Sequence, residues 1–386
     1  MRVRYSTAKD GKLVKKALVY TREEHGITRK DVDADAVEII ERLHRNGYNA
    51  YLVGGAVRDL ALKMKPKDFD IVTNAVPHDI KRMFRSARII GNRFRLVHVT
   101  VGSKIFEVCT FRSLINGTTS NTFGDIEDDV LRRDFTLNAL FYDPREEIVV
   151  DYVGGMKDIW EKRIKPIIPL TSIFVDDPVR MIRAVKYAAT TGFKLPLQIQ
   201  RKIRQQADLL DKISRSRLME ELLKVIHSHC AADIVQGLDE NGLFKYLQPN
   251  AAELMQSNPG FRNQYLKTLG TINQSEKPDP PGTDAAALIR DYLEERTIWD
   301  SNEEHIKNAF SEARQFILPL NLPRVDFENA IRLIFRAHSI TIKGEIIPEH
   351  EHPRKPFPPE KKTPLIEQNT HPHFRKRRPR YRKNKQ

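Results

Sequence analysis

The chain has 386 residues, a formal net charge of +14 and 40% hydrophobic residues, enough apolar content for sizeable cores in two or three domains. Its two cysteines, Cys109 and Cys230, are too few for a disulfide framework or a zinc cluster, and no apolar run reaches the roughly 18–20 residues a bilayer span requires. Residues 1–20 also lack the continuous apolar core of a signal peptide, so a reduced, cytoplasmic protein with no integral membrane contact is expected.

Taken in chain order, residues 1–32 are polar and charged and read as an N-terminal arm. Ala36, Ile39, Ile40 and Leu43 fall at helical spacing and predict a helix over 33–46. Tyr51-Leu52-Val53 is a short strand stopped by Gly54-Gly55, with a helix from Val57 to Lys63. A second strand follows at 69–73, then a helix over 77–85 with proline at its first position. The β-rich runs 94–101 and 104–111, parted by Gly102-Ser103, predict a hairpin. Residues 113–123, dominated by Asn, Gly, Thr and Ser, read as a mobile loop. A helical stretch over 125–141, a strand over 147–152 and the Gly154-Gly155 turn complete an α+β unit near residue 165.

Beyond it, strand signals nearly vanish. Amphipathic segments are expected at 177–190, 197–210, 215–229, 232–242, 259–273, 283–296, 301–316 and 325–338. The expected organisation is an arm (1–32), a catalytic head with a small mixed sheet (33–165), a helical neck (166–230), a helical body that binds RNA (231–344) and a disordered basic tail (345–386). The tail carries most of the charge. Between 353 and 386 twelve Lys/Arg stand against Glu360 and Glu367, so this segment holds +10 of the +14. Arg375, Lys376, Arg377, Arg378, Arg380, Arg382 and Lys383, with Phe374 and Tyr381 available to stack on bases, read as a single-stranded RNA tether.

The chemistry is carried by Leu52-Val53-Gly54-Gly55-Ala56-Val57-Arg58-Asp59 followed by Asp68-Phe69-Asp70. Alternation around Phe69 puts Asp68 and Asp70 on the same face of a strand, where their mutual repulsion calls for a cation. Mg²⁺ suits such a site, because it takes one or two carboxylates and fills its shell with substrate phosphates. Two Mg²⁺ ions can serve an in-line nucleotidyl transfer, and Gly54-Gly55 lets a triphosphate approach backbone N–H groups. Each feature alone is common; their order along the chain is not.

That order resembles the polymerase-β-type family of class II tRNA nucleotidyltransferases and bacterial poly(A) polymerases. Three further stretches continue the resemblance: Arg132-Arg133-Asp134-Phe135-Thr136-Leu137-Asn138-Ala139, Asp151-Tyr152-Val153-Gly154-Gly155-Met156-Lys157-Asp158 and Asp176-Asp177-Pro178-Val179-Arg180-Met181-Ile182-Arg183-Ala184. It implies Asp68, Asp70 and Asp134 as catalytic carboxylates, with Arg133 near phosphate and Asn138 near the ribose. Glu107, an acid among the apolar neighbours of its strand, competes with Asp134 for the third position. The resemblance also implies Asp177 and Arg180 as a base-edge reader that accepts A or C and rejects G and U. Arg217 and Glu221 resemble a fifth motif or form an ordinary i, i+4 pair. The second Gly-Gly is expected to shape a turn.

Within the family, Ile89-Ile90-Gly91-Asn92-Arg93-Phe94-Arg95-Leu96-Val97-His98-Val99 and the extension Tyr20-Thr21-Arg22-Glu23-Glu24-His25-Gly26-Ile27-Thr28-Arg29-Lys30-Asp31 resemble poly(A) polymerases, although Asn92 stands where a second basic residue is usual. The implied activity is ATP-dependent addition of AMP to RNA 3′ ends. The alternatives are CCA addition to tRNA and a non-catalytic RNA-binding protein on the same fold. RNA-degradation and RNA-chaperone proteins are the partner classes the resemblance leaves open.

Overall fold

The computed structural model describes residues 2–7, 13–91, 96–115, 118–272, 274 and 280–343. Strands β1 Arg2–Thr7, β2 Leu13–Tyr20, β3 Ala50–Val53, β4 Asp70–Thr73, β5 Ala87–Ile90, β6 Leu96–Val101, β7 Lys104–Thr110, β8 Arg112–Ile115, β9 Thr118–Phe123, β10 Leu140–Asp143 and β11 Ile148–Asp151 lie in the N-terminal half. Nine of them form one mixed sheet in the order β1-β2-β11-β10-β3-β4-β7-β6-β5, with β4–β7 as its parallel pair. The remaining half is helical. The α+β class is therefore as expected, with a sheet larger than the small one read from sequence.

The centre of the sheet is made by short apolar strands that are buried along their whole length. Ala50–Val53 and Leu140–Asp143 are buried at every residue, as fits strands covered on both faces. Tyr51, Val53, Val72, Phe141 and Val150 share one core with Ala17 of β2. Helix Ala34–Arg45 lays Ala36, Val37, Ile39, Ile40 and Leu43 against the sheet, with Asp33 capping its N-terminus through the Asp35 N–H.

Three sequence expectations are corrected here. Residues 13–20 are a strand rather than part of an arm: β2 pairs with β11, and Ala17 and Tyr20 are buried. Six of these eight residues are apolar, but Lys15 and Lys16 interrupt the run and the flanking residues are charged, so the strand was grouped with its surroundings. Residues 113–123 are not a loop, since β8 and β9 pair as an antiparallel hairpin. They flank Asn116-Gly117, a strong hairpin signal, and are rich in β-branched threonine. Nor is 125–141 one helix. Helix Ile126–Leu131 ends early, Thr136–Asn138 is a single 3₁₀ turn, and Leu140-Phe141-Tyr142 enters the sheet beside β3.

The second Gly-Gly does shape a turn. One Asp151 oxygen accepts the N–H groups of Val153, Gly154 and Gly155, and the other accepts that of Met156. A Cβ on Gly155 would sit 2.3 Å from the Thr136 carbonyl oxygen, just ahead of Asn138. Gly155→Ala is therefore expected to cost about 1–3 kcal/mol in urea unfolding.

Beyond the sheet, the helices Val179–Thr191, Leu197–Gln206, Arg215–Ile226, Ala231–Glu240, Pro259–Thr271, Thr283–Glu294, Glu303–Phe316 and Arg324–Ala337 match the eight amphipathic segments to within a few residues. Phe244–Leu247 and Pro249–Ser257 are additional; one is a single turn, and the buried face of the other is mostly alanine. No helix among the described residues is long and apolar enough to cross a membrane.

Candidate active site

Antiparallel pairing of β3 with β4 sets Val53 opposite Asp70. Gly54, just past β3, therefore lies beside the Asp70 carboxylate: a Cβ there would be 3.8 Å from Asp70 Oδ2 and 3.8 Å from Arg133 Nη1. Its φ of +76° suits glycine, and Gly55 opens the helix Gly55–Ala61. Asp70 is the first residue of β4, and Asp68 lies exposed just before the strand.

The parallel register Ile71↔Val108 places Glu107 alongside Asp70 on the neighbouring strand, their side chains on the same face. The Asp70 carboxyl, recessed in the cleft though still reached by solvent, is pushed up to about 6 by desolvation, then by Glu107 and Asp68, with Arg133 opposing. A divalent cation at Asp70 would relieve the repulsion that Glu107 and Asp68 impose on it. No ready-made cage of three His, Cys, Asp or Glu ligands exists among the described residues.

Asp134 lines the same cleft from another wall. One of its oxygens accepts the Phe135 N–H at 2.8 Å and the Asn138 amide at 3.3 Å, while the other lies 3.9 Å from Arg183. Asn138 in turn accepts from Arg58 at 2.9 Å, and Arg58 also donates to Asp59 at 2.8 Å while lying over the Tyr187 ring. Glu107 is thus the acid in register with Asp70, and Asp134 belongs to the wall that joins Arg58 to Arg183.

A residue not singled out from the sequence holds the next layer. Asp129, fully buried, accepts from Arg132 at 2.7 Å on one oxygen and from Arg133 at 2.8 Å on the other. Burial would raise its pKa, but the two guanidinium groups outweigh it and hold the carboxyl below its usual range. Arg133 Nη1 also reaches the Asn138 carbonyl at 3.2 Å, so Asp129 fixes the cation that faces Gly54 and Asp70.

The fourth motif differs from its expected layout. Asp177 is extended and precedes the helix Val179–Thr191, so it does not share a helical face with Arg180. Asp177 Oδ2 accepts from Arg217 at 2.8 Å and lies 3.9 Å from Arg180, while its Oδ1 is buried without a hydrogen-bond partner. Arg180 is buried and donates to the carbonyls of Ile173 and Arg132, tying this helix to the sheet domain. Nor do Arg217 and Glu221 pair with each other. Buried Glu221 accepts from Arg183 at 2.7 and 3.1 Å, with Lys224 at 3.6 Å.

These groups line one cleft of about 590 Å³. Gly54, Gly55, Arg58, Asp68, Asp70, Arg133, Asp134, Asn138 and Arg180 all border it, joined by Arg183, Lys186, Tyr187 and Lys224, which sequence reading missed. Asp177 and Glu107 do not border it. Arg183, Lys186 and Tyr187 repeat at helical spacing along Val179–Thr191, a signal that was legible as a stripe but was assigned only through Asp177 and Arg180, while Lys224 lies on the helix Arg215–Ile226. Asn92, Arg93, Phe94 and Arg95, and the tail residues Arg375, Lys376, Arg377, Arg378, Arg380, Arg382 and Lys383, lie outside the described residues.

Comparison with known proteins adds the following. Residues 50–165 match the family described as "Poly A polymerase head domain", and residues 192–255 the one described as "Probable RNA and SrmB- binding site of polymerase A". The poly(A) polymerase I of Haemophilus influenzae is 33% identical over 317 residues, 76% of this chain and 70% of that protein. The poly(A) polymerase I of Salmonella typhi is 41% identical over 256 residues, 62% of this chain; the match spans about half the length of that relative, 55%. Among solved structures, the Bacillus stearothermophilus CCA-adding enzyme in complex with CTP superposes with a TM-score of 0.53 at 26% identity, covering 80% of this chain and 83% of that one.

Proposed function

Because the chain belongs to the family of bacterial poly(A) polymerases and tRNA nucleotidyltransferases, we propose that it adds AMP from ATP to RNA 3′ ends without a template. The observation that carries the reading is the register of Asp70 with Glu107 on the strand beside Gly54. In the transfer, the 3′-hydroxyl oxygen attacks the α-phosphorus of ATP, that hydroxyl loses its proton, and pyrophosphate departs. Asp68 and Asp70, which border the cleft, would hold Mg²⁺, with Glu107 adding its charge from the neighbouring strand; Asp134, also in the cleft lining, would orient the ribose with Asn138. When bound, Mg²⁺ supplies acidification of the hydroxyl and neutralisation of the leaving group.

The chain's own residues do the rest. Gly54 and Gly55 admit the triphosphate close to the backbone, and Arg133 faces it from a seat fixed by Asp129. Arg58 is held by Asp59 and Asn138 and so presents a pre-oriented cation to the same cleft. Asp177 Oδ1, unpartnered among the described residues but buried outside the cleft lining, would accept the exocyclic amine of adenine or cytosine, which guanine and uracil do not offer at that position, once a shift of its neighbours exposes it. Arg180 holds the reader in place. The basic tail would track the RNA backbone through sequence-independent phosphate contacts.

Two features favour poly(A) over CCA addition. The segment 20–31 is built into the head: His25 and Ile27 are buried, and Glu147 binds both the Arg29 N–H and Arg22. The poly(A) polymerase I of Salmonella typhi is 41% identical over 256 residues, against 36% over 241 residues for the CCA-adding enzyme of Geobacillus kaustophilus. CCA addition is the second reading, favoured by the structural likeness to a CCA-adding enzyme. The test is incubation of an unrelated RNA oligonucleotide with each NTP in turn. Long ladders with ATP alone support the proposal; incorporation confined to C, C and A on truncated tRNA transfers it to the second reading. Asp177→Ala is expected to cut ATP use roughly 10- to 200-fold and to narrow the margin over GTP, by loss of one buried hydrogen bond to the base.

A further inference from the structure

The cations of the cleft are not equivalent. Arg132 and Arg133 share Asp129, and Arg58 is held by Asp59 and Asn138. Arg180 donates to two carbonyls, and Arg183 and Lys224 share Glu221. Lys67 borders the cleft but is exposed, so water solvates it. Lys186 is the exception. Half-buried in the cleft wall, its ammonium lies 5.3 Å from the Tyr187 ring centroid and forms no ion pair or hydrogen bond among the described residues.

Its neighbours make this costly. Desolvation, then Arg183 and Lys224, pull the Lys186 ammonium down to about 8, with Glu221 opposing. A recessed cation surrounded by other cations destabilises a fold unless an anion arrives to meet it. The surroundings also point to an anion with several oxygens. Arg183, Lys186 and Thr190 recur at three- and four-residue spacing on the helix Val179–Thr191, a stripe about 10 Å long. Lys224, His227, Ser228 and His229 continue the wall at the end of Arg215–Ile226.

We infer that Lys186, with Thr190 and Lys224 beside it, forms a second phosphate-binding position on the helical wall, separate from the Gly54–Arg58–Arg133 position on the sheet wall. This deepens the nucleotidyltransferase reading and rests on it for the identity of the phosphate, which comes either from the RNA acceptor strand or from the triphosphate of ATP.

The experiment uses the full chain and the variants Lys186→Met and Lys186→Arg. Binding of a fluorescein-labelled oligoadenylate is followed by anisotropy without ATP, over a salt series. Binding of ATP with magnesium is followed by equilibrium dialysis without RNA. Lys186→Met is expected to weaken one of the two ligands about 3- to 10-fold, and, if the ligand is RNA, to flatten the salt dependence by about 0.7 in log–log slope. Lys186→Arg is expected to keep most of the affinity, and Lys186→Met to melt at the same temperature as the parent or higher. Loss in the RNA arm assigns the acceptor strand, and loss in the ATP arm assigns the triphosphate. If Lys186→Met binds both ligands within twofold of the parent, the inference is overturned; should that variant not fold, the same criterion applies to Lys186→Gln. A parent chain that binds both ligands without incorporating AMP would remove the activity reading and leave this position standing.

Discussion

Asp70→Asn abolishes nucleotide incorporation, with kcat lowered by about 10³-fold or more, while the chain remains folded. The substitution removes a metal-binding oxygen at the place where β3, β4 and β7 bring Gly54, Asp70 and Glu107 together. Its effect on stability has the opposite sign. In the unfolded chain an aspartate titrates near 3.9, whereas Asp70 is held up to about 6 in the metal-free fold. A raised carboxyl contributes stability below the unfolded value and loses it as pH rises through the folded one. At pH 7 without Mg²⁺ the ionised group therefore weakens the fold, so Asp70→Asn should stabilise it there by about 1 kcal/mol, a figure reduced for solvent screening. Below about pH 3 the difference should vanish, since both states then hold the proton. Adding Mg²⁺ should stabilise the parent more at pH 7.5 than at pH 5.5, because protons compete for the same oxygen. Thermal melts of parent and variant at the two pH values, with and without Mg²⁺, check each sign. A parent whose melting ignores Mg²⁺ at both pH values would count against a metal site at Asp70.

Asp129→Ala carries the largest expected loss of stability. The carboxyl is fully buried and is the shared partner of Arg132 and Arg133. Removing it leaves two guanidinium groups facing each other without their counterion, at a cost of about 3–5 kcal/mol. Arg133 should also swing away from Gly54, so the KM for ATP should rise in whatever fraction of the protein stays folded. Asp129→Asn keeps an acceptor for one guanidinium and is expected to lose less. Urea unfolding measures the first effect and single-turnover incorporation over an ATP series the second. Equal stability of Asp129→Ala and parent would mean that the buried pairing does not hold this part of the head together.

Much of the site was legible before the structure because its residues sit next to the local features that position them. Gly54-Gly55 after a short apolar strand and Asp-x-Asp at the start of another specify one corner of a sheet, and that corner is found. The amphipathic helices were readable for the same reason, since each stripe meets its own core. What stayed hidden depends on pairing between distant strands. Glu107 is 37 positions from Asp70 in the chain and meets it through the β4–β7 register, which a linear pattern does not encode. Asp134 borders the same cleft as Asp68 and Asp70, but one of its oxygens is taken by the Phe135 N–H and the Asn138 amide while the other lies 3.9 Å from Arg183. Asp129 was passed over as one acid in an acidic run, and only burial distinguishes it. The Arg217–Glu221 spacing was correct for a helical pair but misleading, as stronger partners on the helix Val179–Thr191 and at Asp177 claim both side chains.

The central claim is that this cleft extends RNA 3′ ends of any sequence with AMP. Its most direct test is to measure kcat/KM for ATP, and the length of the products, on an unrelated RNA 3′ end and on a tRNA lacking its terminal adenosine. Comparable kcat/KM values on the two acceptors, with many adenylates added to the unrelated RNA, are the predicted result. Addition of a single adenylate, on the tRNA alone, would contradict it.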